Sequence, residues 1–196
     1  MRVFGLTGQT GAGKSTVAGY LSKRGFFVID GDKLARLVTR KGSPALCELG
    51  TRFGKDILFE DGSLDRKKLA SRAFSSKENT AALNAITHPY IDELFRNEIE
   101  KGTKAGFEYC LIDAAALLES PSRKLCEKII VVVCPESIRL ERLLRRDNIT
   151  KNEAMLRMSA QKSEEYYIAN ADIIIRNYPP YDADSEAENF LKEVSA

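Results

Sequence analysis

The segment Gly8-Gln9-Thr10-Gly11-Ala12-Gly13-Lys14-Ser15-Thr16 fits the pattern G-x-x-x-x-G-K-[ST], and it stands between an apolar run, Val3 to Thr7, and a helical pattern that stops near Gly25. Glycines allow such a loop to wrap so that successive backbone N–H groups point inward at phosphate oxygens, an approach that a β-carbon obstructs. Gly11 and Gly13 are the positions that need this freedom. A plain glycine turn between strand and helix accounts for the glycines but not for a Lys-Ser pair at this spacing. Lys14 is placed to bridge the β- and γ-phosphates of a bound nucleotide, and the Ser15 hydroxyl to complete the coordination of Mg2+. Thr16 is placed to donate to the α-phosphate, and the helix that begins here adds a favourable N-terminal dipole. The candidate cofactor-binding residues are therefore Gly11, Ala12, Gly13, Lys14, Ser15 and Thr16, with ATP and Mg2+ as ligands and Ser15 as the metal ligand.

Further β-rich runs recur at Phe26 to Ile29, Tyr109 to Asp113, Lys128 to Cys134 and Asp172 to Arg176, separated by helical patterns. Ile129 to Val133 is apolar throughout, which suits a strand covered on both faces. The alternation of strand and helix predicts an α/β three-layer sandwich around a parallel sheet. At 196 residues, with 43% hydrophobic and 30% charged side chains, the chain is long enough for one compact core that carries insertions and is unlike a disordered chain.

Two stretches exceed what the sheet requires. Lys33 to Glu108 is too long for one crossover helix and reads as a mainly helical insertion, at the strand ends where open α/β sheets shape their ligand sites. Arg142 to Ile168 contains Thr150-Lys151-Asn152-Glu153, a capping box that starts a fresh helix, and reads as a lid. The expected organisation is a single domain over 1–196, with its core at about 1–32, 109–141 and 169–196, an acceptor-binding insertion at about 33–108 and a lid at about 142–168.

Thirty Lys plus Arg against 28 Asp plus Glu leave a net charge of +2, too small to argue for nucleic acid or an anionic membrane as partner. An anionic ligand must be held locally. The longest apolar run, Ile129 to Cys134, is far short of the ~20 residues that span a bilayer. The N-terminus begins a strand rather than a charged-then-apolar leader, so the expected location is the cytoplasm. Cys47, Cys110, Cys126 and Cys134 lack CxxC spacing, and Cys110 and Cys134 fall in apolar strands, so they read as buried or inert thiols.

Phosphate loops serve kinases, GTPases and motor ATPases alike. No NKxD motif occurs, and Asp113 is followed by Ala114-Ala115-Ala116 rather than by the DxxG of a GTPase. Little chain is left for the coupling domains of large ATPases, which leaves a small-molecule kinase. Transfer to an alcohol needs a carboxylate beside the attacking hydroxyl, to orient it and accept its proton. Val28-Ile29-Asp30-Gly31-Asp32 puts two at the end of the second strand, and Asp32 is the candidate base, although either is also a favoured helix N-cap. Arg139, Arg142 and Arg146 share a helix face. Arg142 and Arg146 are candidates for neutralising charge on the transferring phosphoryl group, with a solvated charged face as the alternative.

At this point the residues resemble one family. Thr7 through Thr16 and Asp30-Gly31-Asp32-Lys33-Leu34-Ala35-Arg36 look like the dephospho-coenzyme A kinases. Phe53-Gly54, Asp61 through Leu69, His88-Pro89-Tyr90-Ile91, Arg142-Leu143-x-x-Arg146-Asp147, Gln161 and Ala171-Asp172-x-x-x-x-Asn177 follow in that family's order, to about residue 177. The resemblance implies a five-stranded parallel core, a helical coenzyme-binding subdomain and a closing lid. The implied reaction moves the ATP γ-phosphate to the ribose 3′-hydroxyl of dephospho-coenzyme A, a small-molecule partner. It also implies Asp32 as base, His88 in the acceptor pocket, Arg66 on the acceptor's phosphate or ribose, and Asn177 on the nucleotide side. Asp113 is a candidate for the acceptor side and for organising magnesium or its waters.

Bland readings stand beside these. His88-Pro89 also reads as the structural start of a helix, and Arg66 beside Lys67 and Lys68 as an exposed charge. The chain departs from the family where the Pro expected after the third strand is Ala115, and where the usual Pro and basic residue beyond Gln161 are Ser163 and Tyr167. The Tyr167 ring either stacks on a base or packs on the core, and packing is the commoner fate. A nucleoside monophosphate kinase and a non-catalytic ATP-binding regulator are the competing readings; the Asp30-Gly31-Asp32 and His88 blocks favour the first-named family.

Overall fold

The computed structural model describes residues 1–195. Strands β1 (Arg2–Thr7), β2 (Phe26–Asp30), β3 (Tyr109–Asp113), β4 (Lys128–Val133) and β5 (Ile173–Arg176) pair in parallel in the order β2-β3-β1-β4-β5. The chain leaves β1 toward β2 on one side and leaves the adjacent β3 toward β4 on the other, so the switch point at which open α/β sheets bind ligands lies between β1 and β3. The helices are α1 (Lys14–Lys23), α2 (Gly31–Val38), α3 (Pro44–Phe53), α4 (Arg66–Ala73), α5 (Lys77–Lys104), α6 (Glu136–Asp147), α7 (Lys151–Ser159), α8 (Glu164–Ala169) and α9 (Ala183–Ser195). They fall into two compact units, Met1–Asp30 with Lys101–Ala196 and Gly31–Glu100.

In the first unit both faces of the sheet are covered, as the apolar runs require. Leu111, Ile130 and Val132 pack with Phe4 and Leu6 against Val17 and Leu21 of α1 and Ala187 and Phe190 of α9. The Phe4 and Phe190 rings meet edge-on at 5.2 Å, and Phe26 stacks on Tyr109 at 5.0 Å. Ile112, Ile129 and Val131 alternate with those residues along their strands, so they face the other way, and they are equally buried. Tyr167 is 3% exposed: of its two readings, packing is the one realised. Burial also pushes the Cys110 and Cys126 thiols up to about 12, which leaves them un-ionised and inert.

Three local devices set the segment after β4. Asn148 ends α6 in the left-handed region at φ 49°, a conformation asparagine tolerates. Thr150 and Glu153 then form the reciprocal capping box that starts α7. Ser163, standing where a proline is usual, caps α8 by accepting from the Tyr166 N–H.

The second unit is helical, with its own small core of Leu49, Phe53, Ile57, Leu69 and Ala73, supported by Leu83 and Ile86. Arg72 grips Asp56 with both ends of its guanidinium, at 2.7 and 2.6 Å, and also donates to the Phe53 carbonyl; Arg72 and Lys68 hold the Asp56 carboxyl well below the usual range. Asp65 caps α4 by accepting from the Lys68 N–H at 3.0 Å. His88-Pro89 does not start a helix. Both residues lie inside α5, which runs through Pro89 and gives up one backbone bond there. The long helix on either side tolerates what in isolation would be a break. Among the described residues no helix is long and apolar enough to cross a membrane.

Candidate active site

The central strand β1 delivers the chain into the Gly8 to Thr16 loop, which opens directly into α1. Gly13 sits at φ 101° and ψ 29°, and a β-carbon there would run into the Asn177 side-chain amide; at Gly11, with φ 79°, it would lie 2.8 Å from the Arg139 carbonyl oxygen. The loop is therefore wound as tightly as its neighbours permit. Gly13 caps α1 without any side chain, and the first turn carries no acidic residue. The free N–H groups of that turn point at a position that suits an anion. Lys14 Nζ donates to the Gly8 carbonyl at 3.2 Å, folding back over the loop, while the Ser15 and Thr16 side chains are exposed.

The outward carbonyls of the loop are tied down by groups far along the chain. Arg142 Nη1 donates to the Gly11 and Ala12 oxygens at 3.3 and 3.2 Å, and its Nη2 donates to the Asn177 carbonyl at 3.0 Å. The Asn177 side-chain amide donates to the same Ala12 oxygen at 2.8 Å. Arg142 and Asn177 thus meet at the back of the loop as a brace. Arg146 lies apart from them, exposed and paired with Asp147 at 2.7 Å; Asp147 also accepts from Arg157, and the two guanidinium groups hold its carboxyl below the usual range.

Sequence reading assigned no role to two further supports. Gln161 accepts from the Thr10 N–H at 2.8 Å while Gln9 donates to the Lys162 carbonyl at 2.9 Å, a reciprocal clamp joining the loop to the turn before α8. Arg139, read as one of three arginines on a shared face, is buried at 5% exposure and bonds to the Cys134 and Thr10 carbonyls. Its i, i+3 spacing to Arg142 was the available signal.

At the carboxyl edge of the sheet, Asp30 of β2 is in register with Asp113 of β3, and Asp113 with Leu6 of β1, so two carboxylates stand beside the strand that carries the loop. The Thr7 hydroxyl donates to the Ala115 carbonyl at 3.2 Å, which fixes the turn after β3 where a proline is usual. Asp32, Arg66 and His88 belong to the second unit. Asp32 is exposed in the first turn of α2, two residues beyond β2. Arg66 is exposed at the start of α4, with Nη2 at 3.5 Å from the Arg36 carbonyl. His88 is half-buried; desolvation lowers its pKa, and Asp92 one turn on opposes part of that shift.

A parallel sheet whose central strand ends in a lysine-bearing phosphate loop, braced by arginines from the helix after β4, defines a P-loop kinase. Comparison with known proteins narrows this further. The family model described as dephospho-CoA kinase matches residues 2–181, and the chain belongs to that family. A dephospho-CoA kinase from Corynebacterium glutamicum is 38% identical over 191 residues, covering 97% of this chain and 96% of that protein. Among solved structures, TT1252 from Thermus thermophilus superposes with a TM-score of 0.80 at 28% identity, covering 99% of this chain and 96% of that one. A dephospho-CoA kinase from Campylobacter jejuni superposes with a TM-score of 0.70 at 27% identity, covering 100% and 98%.

Proposed function

We propose that the protein transfers the γ-phosphoryl group of ATP to the ribose 3′-hydroxyl of dephospho-coenzyme A, giving coenzyme A and ADP in the last step of coenzyme A synthesis. The observation that carries this reading is the family match over residues 2–181, which takes in both the phosphate loop and Asp32. Oxygen ligands and few protein groups are what Mg2+ accepts. The exposed Ser15 hydroxyl at the start of α1 fits that requirement, and Asp113 at the neighbouring strand end suits the ordering of its waters. When bound, the ion neutralises phosphate charge.

In this reading Lys14 exchanges the Gly8 carbonyl for phosphate oxygens, and the amides from Gly11 to Thr16 hold the β-phosphate. Arg142 and Asn177 keep those amides turned inward. Asp32 orients the 3′-hydroxyl and takes its proton as the new O–P bond forms and the bond to ADP breaks. Arg146 leaves Asp147 to meet charge on the phosphoryl group. Arg66 and His88 belong to an acceptor-binding insertion at about 33–108, and about 142–168 forms a lid. The cytoplasm is the expected compartment.

The test is a coupled ADP-release assay with Mg-ATP and a panel of dephospho-coenzyme A, nucleoside monophosphates, gluconate and shikimate. Turnover confined to dephospho-coenzyme A is expected. Turnover with another acceptor and none with dephospho-coenzyme A overturns the assignment, and ATP binding without turnover on any acceptor leaves the regulatory reading in its place.

A further inference from the structure

Beside the phosphate loop, and outside the brace formed by Arg142 and Asn177, lies a cavity of about 500 Å3 lined by residues that include Gln9, Arg139, Met155, Met158, Gln161 and Lys162. Arg139 is its most unusual wall. The side chain is 5% exposed, yet its two partners are both backbone carbonyls: Nε donates to Cys134 at 3.0 Å and Nη1 to Thr10 at 3.4 Å. Among the described residues no carboxylate is paired with it, so the guanidinium lies in a largely desolvated position with only carbonyl oxygens against it, an arrangement that favours a further neutralising group.

The remaining nitrogen shows where that neutralising group would sit. Among the described residues Nη2 has no hydrogen-bond partner, and none of their sealed-off side-chain nitrogens or oxygens lacks one, so Nη2 opens onto free space. The space available is the cavity that Arg139 lines. Around it, Gln9 and Gln161 are both fixed by the clamp to the loop, so the wall beside Nη2 is rigid and polar. Glu136, Glu164 and Glu165 also line the cavity, but Glu136 and Glu165 are exposed and screened by water, and Lys162 on the same wall offsets one of the three charges.

We propose that this cavity is a binding site for a phosphate- or sulfate-type oxyanion, with Arg139 as its cation, distinct from the seat that the loop amides provide. A planar guanidinium with one edge held by carbonyls and the other open offers a directed, charge-assisted donor to such an anion. The anion's source is either a phosphate of one of the two substrates or a free ion.

Sulfate binding to the full chain saturated with Mg-ADP, measured by titration calorimetry, tests this without turnover, so its failure leaves the phosphotransfer assay untouched. Wild type is expected to bind sulfate, and Arg139→Gln to bind it about tenfold or more weakly. Gln161→Glu retains the acceptor for the Thr10 N–H while adding a negative charge to the wall, and is expected to weaken sulfate as well; it decides the matter if Arg139→Gln fails to fold. Loss of the sulfate signal when ADP is replaced by a non-hydrolysable ATP analogue identifies the nucleotide's terminal phosphate as the natural occupant, loss only on adding dephospho-coenzyme A identifies the acceptor, and survival of both additions identifies a free anion. Equal sulfate affinity in wild type and both variants, or no binding to wild type, overturns the proposal.

Discussion

The side-chain amide of Asn177 donates to the carbonyl oxygen of Ala12 at 2.8 Å, and the Asn177 carbonyl in turn accepts from Arg142, which reaches the same Ala12 oxygen. These three groups form one unit rather than separate contacts. Arg142→Met is expected to weaken Mg-ATP binding about tenfold or more, since a hydrogen bond from a charged group contributes about 1.5–3 kcal/mol, and Asn177→Ala about threefold to tenfold, since the neutral bond it removes contributes about 0.5–1.5 kcal/mol. The double variant should bind hardly more weakly than the worse single one, because each change already slackens the shared brace. Calorimetric affinities for the four proteins of the cycle check this; additive losses would separate the two residues.

Gly13→Ala places a methyl group against that amide at a backbone angle of φ 101°. The left-handed conformation alone costs about 1–2 kcal/mol for a residue with a β-carbon. A lower Tm together with a loss of ATP binding is expected, and an unchanged thermal midpoint would mean that the turn relaxes freely.

Among the described residues Lys14 makes one hydrogen bond, to the Gly8 carbonyl, from the end of its side chain. Lys14→Ala is therefore expected to shift stability by no more than about 1.5 kcal/mol, the net contribution of one hydrogen bond. The same change should lower kcat at least about a hundredfold, the effect of removing one electrostatic donor from a transition state. Urea unfolding and steady-state rates on the same preparation separate the two effects.

For Asp32→Asn the expected pattern is a fall in kcat of about a hundredfold to ten-thousandfold with the KM for ATP little changed, because a general base acts on the acceptor hydroxyl and leaves the nucleotide untouched. Wild-type turnover in the variant would remove Asp32 as the base.

His88 carries a pH prediction. Burial lowers its pKa in the folded protein below the ordinary 6.5, so between the lowered value and 6.5 the unfolded chain binds more protons than the folded one. Stability should then fall as pH drops through that window and level off below it. His88→Gln should flatten the slope; urea unfolding from pH 7.5 to pH 5 on both proteins measures it, and an equal slope in the variant would assign the pH dependence elsewhere.

Much of this was legible in the sequence because it is local or periodic. The strands showed themselves as apolar runs, the loop by its glycines and its Lys-Ser pair, and α7 by the Thr150 to Glu153 capping box. Helix α5 was misjudged at His88-Pro89, since a proline's local penalty gives no sign of the long helix that absorbs it. The supports of the loop were harder to see. Gln9 and Gln161 are ordinary polar residues until folding brings them together, and Arg139 resembles any charge on a helix face until its burial is known. Such residues act on backbone N–H and C=O groups, which carry no sequence signal of their own.

The brace across Ala12, Arg142 and Asn177 also has a consequence for how the protein is made. Ala12 of the loop leaves the ribosome 165 positions before Asn177. A nascent chain therefore carries the complete glycine motif well before the brace that steadies it can form. A chain terminated before Asn177 would display the motif and lack the brace.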